Sequence, residues 1–480
     1  VLFNSLQFLI FFPIVVALYF ALPPRRRWVL LLAASYYFYM SWKPEYVVLI
    51  MISTAVDYVA GRRMGMLKER GPRRKYLILS LVSNLGLLFA FKYFNFFSAT
   101  VQHFFDAISL PVDLPVLHVL LPVGISFYTF QTLSYTIDVY RGRVEPEKHL
   151  GIFAVYVAFF PQLVAGPIER AGNLLPQFFD EHRFDFQAVA DGLKLMLWGY
   201  FLKVVIADRA AIVVDQVYGN LDSYTGMPLL VATYLFSFQI YCDFAGYSFI
   251  AIGAAKILGF DLMDNFRRPY LSQSVREFWT RWHISLSTWF RDYLYIPLGG
   301  NRVTSGRWAF NLVITFLISG LWHGANWTFL VWGALHGTYV LASYLTSGVR
   351  QRAAEILQLS RRPRVHIFVR LVITFHLVGF AWIFFRAPSV SEAWYVVTHM
   401  FQGMTRPPYG FSIGGADNFV LVLLAILFME LVHLYEEWGR MHHFLDDERD
   451  LVRWPVCVSI TLVILLFGIF EEMQFIYFQF

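Results

Sequence analysis

What most constrains this chain is a series of apolar runs, each roughly the 17–25 residues that a helix needs to cross the hydrocarbon core of a bilayer, recurring from end to end. Inside hydrocarbon every backbone polar group must be satisfied internally, and long runs rather than short alternating ones favour helices over a barrel. Charged residues make up only 15% of the 480 residues and hydrophobic ones 58%, against roughly 25% charged in a soluble chain. The sequence therefore predicts an all-α, polytopic integral membrane protein. We expect one domain over residues 1–480 with on the order of a dozen transmembrane or re-entrant helices.

The run from Leu6 to Leu22 lacks a basic leader and a small-residue cleavage site, so it is expected to persist as a span. Cys242 and Cys457 both lie in apolar runs, where small buried core residues are the ordinary reading. Neither a disulfide framework nor a cysteine metal site is supported, and no metal or resident cofactor is expected.

Charge position gives an orientation. Arg25-Arg26-Arg27, the cluster from Arg62 to Lys75 and the segment Arg141 to Lys148 follow the first, third and fifth apolar runs. One parity of loops is thus basic, which marks the cytoplasmic side and puts the start of the chain outside. Arg350 to Arg370 should again be cytoplasmic, and Arg406 to Asn418 should be an outer loop. The net charge of +6 then reflects topology and contact with anionic lipid, with no need for nucleic acid.

Several runs are interrupted. Phe159 to Arg170 carries two prolines, a glycine and opposite charges, as expected of a bent or re-entrant segment. Leu121-Pro122-Val123-Gly124 and Tyr241-Cys242-Asp243-Phe244-Ala245-Gly246-Tyr247 are read in the same way. Asp243, an acid inside an apolar run, has either a structural hydrogen-bonding role or a place lining a reaction chamber.

Asn265 to Arg302 is the densest block. Ser274 and Glu277 fit a capping box, predicting a helix from near Val275 to before Pro297. Trp279, Trp282, Leu286, Trp289 and Tyr293 form an aromatic stripe on it, with His283 and Ser287 on another face. Such a helix either anchors at the headgroup boundary or lines a polar cavity. His323 lies in the apolar stretch Phe316 to Trp327, where an imidazole must be buried against protein or face a wet cavity, and so marks a candidate functional site.

Asn265-Phe266-Arg267-Arg268-Pro269-Tyr270, Glu277 to Ser287, Arg291 to Arg302 and Leu321-Trp322-His323-Gly324-Ala325-Asn326 together resemble the membrane-bound O-acyltransferase superfamily, and within it the alginate O-acetylation branch. Leu121 to Arg141, Phe159 to Arg170 and Phe384-Phe385-Arg386-Ala387 resemble that branch too. One departure is visible, since Ala245 and Phe249 stand where the branch commonly has Ser and Asp. No catalytic role is assigned to either.

The resemblance implies that His323 is the catalytic histidine and that His283 holds the second active-site position. It implies transfer of acetyl from a cytoplasmic donor, acetyl-CoA, to a polysaccharide beyond a bacterial inner membrane, together with a separate extracytoplasmic acetyltransferase partner. Burial pushes an imidazole towards the neutral form that a general base needs. Trp322, Asn326 and Asp243 are expected around the chamber, while His336 is read as structural. Arg267, Arg268 and Arg302 are candidates for the donor's phosphates, because guanidinium pairs bidentately with phosphate oxygens. Lipid headgroups would account for the same arginines. Two rivals stay open: an acyltransferase fed by a carrier protein, as in D-alanylation of teichoic acids, and a transporter, which would also explain broken spans and buried ionisable groups.

Overall fold

The computed structural model describes residues 2–117, 119–163, 166–403, 414–439, 450–471, 473, 475 and 476. Most of the expected outer loop at Arg406 lies outside them. All regular structure among the described residues is helical. Five helical stretches are long and apolar enough to cross a membrane: Pro44–Met66, Arg70–Ala107, Met227–Ile257, Pro363–Arg386 and Ala416–Gly439. Leu6–Ala21, Leu150–Leu163 and Trp454–Phe467 are shorter apolar helical stretches, the second of them broken at Phe159. Ser305–His323 and Trp327–Leu345, unbroken helices of 19 residues each, are not among the five.

The chain forms two compact units, residues 1–196 with 250–263, and residues 197–249 with 264–480. It passes between them three times, so neither is a separable stretch of sequence.

In the first unit, Val47–Met66, Arg70–Leu88 and Ile125–Arg141 pack on one another. Their shared core is polar at one level. Asn84 donates through Nδ2 to both oxygens of the buried Asp57 at 2.9 Å, and Ser80 donates to the same carboxylate at 2.6 Å. Uncharged donors therefore meet a carboxylate that hydrocarbon alone would not tolerate. Ile125–Arg141 starts at Gly124, whose φ of 74° is the left-handed conformation that glycine permits. The expected break at Phe159 is present: Leu150–Ala158 ends there and the short helix Phe160–Leu163 follows.

The second unit carries two corrections to the sequence reading. Tyr241 to Tyr247 is not an interruption but the middle of the continuous helix Met227–Ile257. Gly246 serves packing, since a Cβ there would lie 2.8 Å from the Gly199 carbonyl oxygen. The helix expected from Val275 to before Pro297 is instead three pieces: Val275–Arg281, Ile284–Phe290 and the π-helical turn Arg291–Tyr295. Ser274 caps the first piece by accepting from the Glu277 N–H at 3.1 Å, but Glu277 reaches back to the Gln273 N–H rather than to that of Ser274.

Ser305–His323 and Trp327–Leu345 form an antiparallel hairpin held closer than side chains would allow. A Cβ at Gly320 would fall 2.2 Å from the Phe329 carbonyl oxygen, and one at Gly333 2.3 Å from that of Phe316. Small residues at such a crossing let backbones approach, the usual device of membrane helix pairs.

Candidate active site

The break in the Asn265 to Arg302 block falls at His283. Its φ of 42° and ψ of 56° are left-handed, a conformation that costs a non-glycine residue about 1–3 kcal/mol and persists only where its surroundings impose it. Asn265 supplies much of that constraint. Its carbonyl accepts from the Ile284 N–H at 2.9 Å, its Oδ1 accepts from the Ser285 hydroxyl at 2.9 Å, and its Nδ2 donates to Ser248 at 3.1 Å. The Arg267 N–H donates to the Arg281 carbonyl, also at 2.9 Å. The segment Asn265-Phe266-Arg267 is thereby stapled across the turn that presents the imidazole.

His283 is fully buried. It lies between two short helices, outside the five candidate spans, and burial holds its ring below the ordinary histidine pKa and therefore neutral. A neutral imidazole keeps one N–H donor and one lone pair. The Phe244 ring meets it edge-on at 4.6 Å between centroids, and Trp322 lies at 5.9 Å.

His323 is the last residue of Ser305–His323 and is also buried. The two imidazole centroids are 6.3 Å apart. Trp332 at 5.0 Å and Phe385 at 5.4 Å also pack against the His323 ring. The helix ends as Gly324 turns extended, and Asn326 caps the next one, accepting from the Thr328 N–H at 3.1 Å while its Nδ2 donates to the Pro388 carbonyl at 2.9 Å. Asn326 thus shapes the turn after His323. His336 lies one ring beyond, accepting from the Trp279 indole N–H at 3.3 Å with Trp332 at 4.9 Å.

The remaining candidates sit elsewhere in the same unit. Asp243 is ion-paired with Lys203 at 2.6 Å. Arg268 bridges Glu436 at 3.2 Å and Glu437 at 2.9 Å, Arg267 pairs with Asp264 at 3.0 Å, and Arg302 is exposed. Arg281 also reaches Glu437; burial opposes its charge, but Glu437 and Glu277 together hold its pKa above the ordinary value. A pocket of about 180 Å³ opens between Ile284–Phe290 and Ser305–His323, with Ser287, Arg291, Thr315 and Ser319 among its lining.

Nothing in the sequence marks Phe244 or Trp332, because an aromatic in an apolar helical run looks like any core residue. Lys203 is absent from the sequence-derived candidates although a lysine in the apolar run around Leu202 to Ile206 is the same kind of signal as Asp243.

Residues 148–385 match the membrane-bound O-acyltransferase family. The protein named "Probable alginate O-acetylase AlgI" of Azotobacter vinelandii is 42% identical over 403 residues, covering 83% of this chain and 78% of its own length. The peptidoglycan O-acetyltransferase of Helicobacter pylori is 34% identical over 76% of this chain and 71% of its own. The teichoic acid D-alanyltransferase of Streptococcus thermophilus is 30% identical but covers only 45% of this chain and 55% of its own.

Proposed function

The chain belongs to the membrane-bound O-acyltransferase family, and we propose that, as an O-acyltransferase, it moves acetyl from cytoplasmic acetyl-CoA across a bacterial inner membrane, which it crosses several times, for O-acetylation of an extracytoplasmic polysaccharide. The observation that carries this reading is the pair of buried imidazoles, 6.3 Å apart and walled by aromatic rings.

His323 takes the proton of an acceptor hydroxyl, a poor nucleophile at neutral pH, as the oxygen attacks the thioester carbonyl. The His283 ring donates to the oxyanion that develops, an interaction worth most in a dry site. Collapse expels the coenzyme A sulfur, which recovers the proton held by His323. The aromatic walls exclude water, which would otherwise compete as acceptor. Trp322, adjacent to both imidazoles, and Asn326, which shapes the turn, complete the surroundings.

The donor's phosphates are assigned to the cytoplasmic side. Arg302, which is exposed, is the first of the three proposed arginines to meet them. Arg267 and Arg268 would have to exchange a carboxylate for a phosphate oxygen. The acceptor side is assigned to an extracytoplasmic acetyltransferase that completes the transfer to polymer. An alginate-like exopolysaccharide is the favoured acceptor, because the alginate O-acetylase resemblance extends further and is stronger than that to the peptidoglycan enzyme. The carrier-protein reading rests on a shorter and weaker resemblance.

The test is reconstitution in vesicles with acetyl-CoA on the face carrying the basic loops. Acetyl-CoA-dependent release of coenzyme A that requires His323 supports the reading. Turnover only with an acyl carrier protein would transfer the chain to the D-alanylation type.

A further inference from the structure

Lys203, Asp208 and Asp243 form a buried ion triad in the same unit as the two histidines. Lys203 Nζ lies 2.8 Å from Asp208 Oδ1 and 2.6 Å from Asp243 Oδ1, and all three side chains are almost wholly shielded. The lysine sits in the π-helical turn Phe201–Ala207, a rare form found disproportionately at functional positions. One cation shared between two carboxylates leaves acceptor capacity on Asp243. That capacity is met by the backbone N–H of Ile476, which donates to Asp243 Oδ2 at 2.7 Å. The same turn takes a second bond from this part of the chain, Ile469 N–H to the Val204 carbonyl at 3.0 Å.

The consequence lies one residue away on each side. Phe475, fully buried, packs its ring on Tyr247 at 4.6 Å and on Phe244 at 5.6 Å. Phe244, next to Asp243 in sequence, is the ring that meets His283 edge-on at 4.6 Å. Lys203 Nζ also lies 5.4 Å from the Tyr247 ring centre. A continuous path of contacts therefore runs from the ion triad through Ile476 and Phe475 to Phe244 and the imidazole.

We propose that Asp243 is a positioning residue for acetyl transfer: it pins Phe475 behind Phe244, and that packing fixes the orientation of His283. The proposal rests on the acetyl-transfer reading and assigns Asp243 no contact with substrate. A charge so deeply buried is retained at a desolvation cost, and fixing one geometry is a use that a well-packed apolar residue would not reproduce.

The test uses full-length protein in nanodiscs. Asp243→Asn and Phe475→Ala are compared with wild type for kcat and KM towards acetyl-CoA in the folded fraction. A second readout is the ¹⁹F spectrum of 4-fluorophenylalanine placed at position 475, with and without Asp243→Asn. The expected result is a kcat lower by about 10- to 100-fold with KM unchanged in both variants, the scale of a misplacement near 1 Å. The 475 resonance should move towards its solvent-averaged position in Asp243→Asn. Phe475→Ala leaves the triad intact, so it still decides the matter if Asp243→Asn fails to fold. Wild-type kcat in folded Phe475→Ala, or a 475 resonance unmoved by Asp243→Asn, overturns the proposal. The fluorine readout is independent of turnover, so wild-type protein without acetyl transfer contradicts the functional reading alone.

Discussion

His323 and His283 were legible in the sequence for different reasons. A single imidazole in a membrane-length apolar stretch has few tolerable environments, so His323 stood out from composition alone. His283 stood out only through its motif, because periodicity made it one residue of an ordinary aromatic helix. What periodicity could not carry was the left-handed turn, a backbone state favoured mainly by glycine and asparagine and imposed here by Asn265. Two outcomes follow at this scale. His283→Ala should lower kcat by roughly 10²–10³-fold, the cost of losing one oxyanion donor, with residual turnover measurable by coenzyme A release. Asn265→Ala strands the Ser285 and Ser248 hydroxyls and should cost about 1–3 kcal/mol, read as a lower thermal midpoint in detergent, together with loss of activity because the His283 turn relaxes.

Among the elements, the hairpin Ser305–His323 with Trp327–Leu345 is the part that fixes where His323 sits, and it depends on glycine. Gly333→Ala would drive a methyl into the Phe316 carbonyl and should destabilise by about 1–3 kcal/mol while shifting the His323 turn. Thermal unfolding and kcat measured on the same preparation check this, and an unchanged midpoint would show that the helices can separate without cost. These glycines were visible in the sequence, but their partners were not, since close approach is a property of two helices. The same limit explains why Tyr241 to Tyr247 looked like a break: an acid and a glycine in an apolar run read as interruption until Lys203 and Gly199 are seen against them. The capping signal at Ser274, by contrast, is local, and it located the start of Val275–Arg281 correctly.

For the whole molecule, the all-helical membrane character follows directly from the apolar runs, whereas which runs become single long helices depends on packing, as at Met227–Ile257. The orientation assigned from basic loops is open to measurement. Single cysteines at Lys68 and Arg362, both exposed, should resist an impermeant thiol reagent in intact cells, while one at the exposed Asp417 should react. Asp417 is preferred to the neighbouring Gly414 and Gly415, whose positive φ values would strain a cysteine. Labelling of Lys68→Cys from outside would invert the topology, and with it the side from which the donor arrives.

The proposed acyl transfer turns on His323. It is tested most directly by the acetyl-ester content of extracytoplasmic polysaccharide from a deletion strain carrying either the wild-type chain or His323→Ala, at membrane levels matched by immunoblot. Wild type should restore the esters, and His323→Ala should leave them at the level of the deletion. Esters restored by His323→Ala to near the wild-type level would contradict this role of His323.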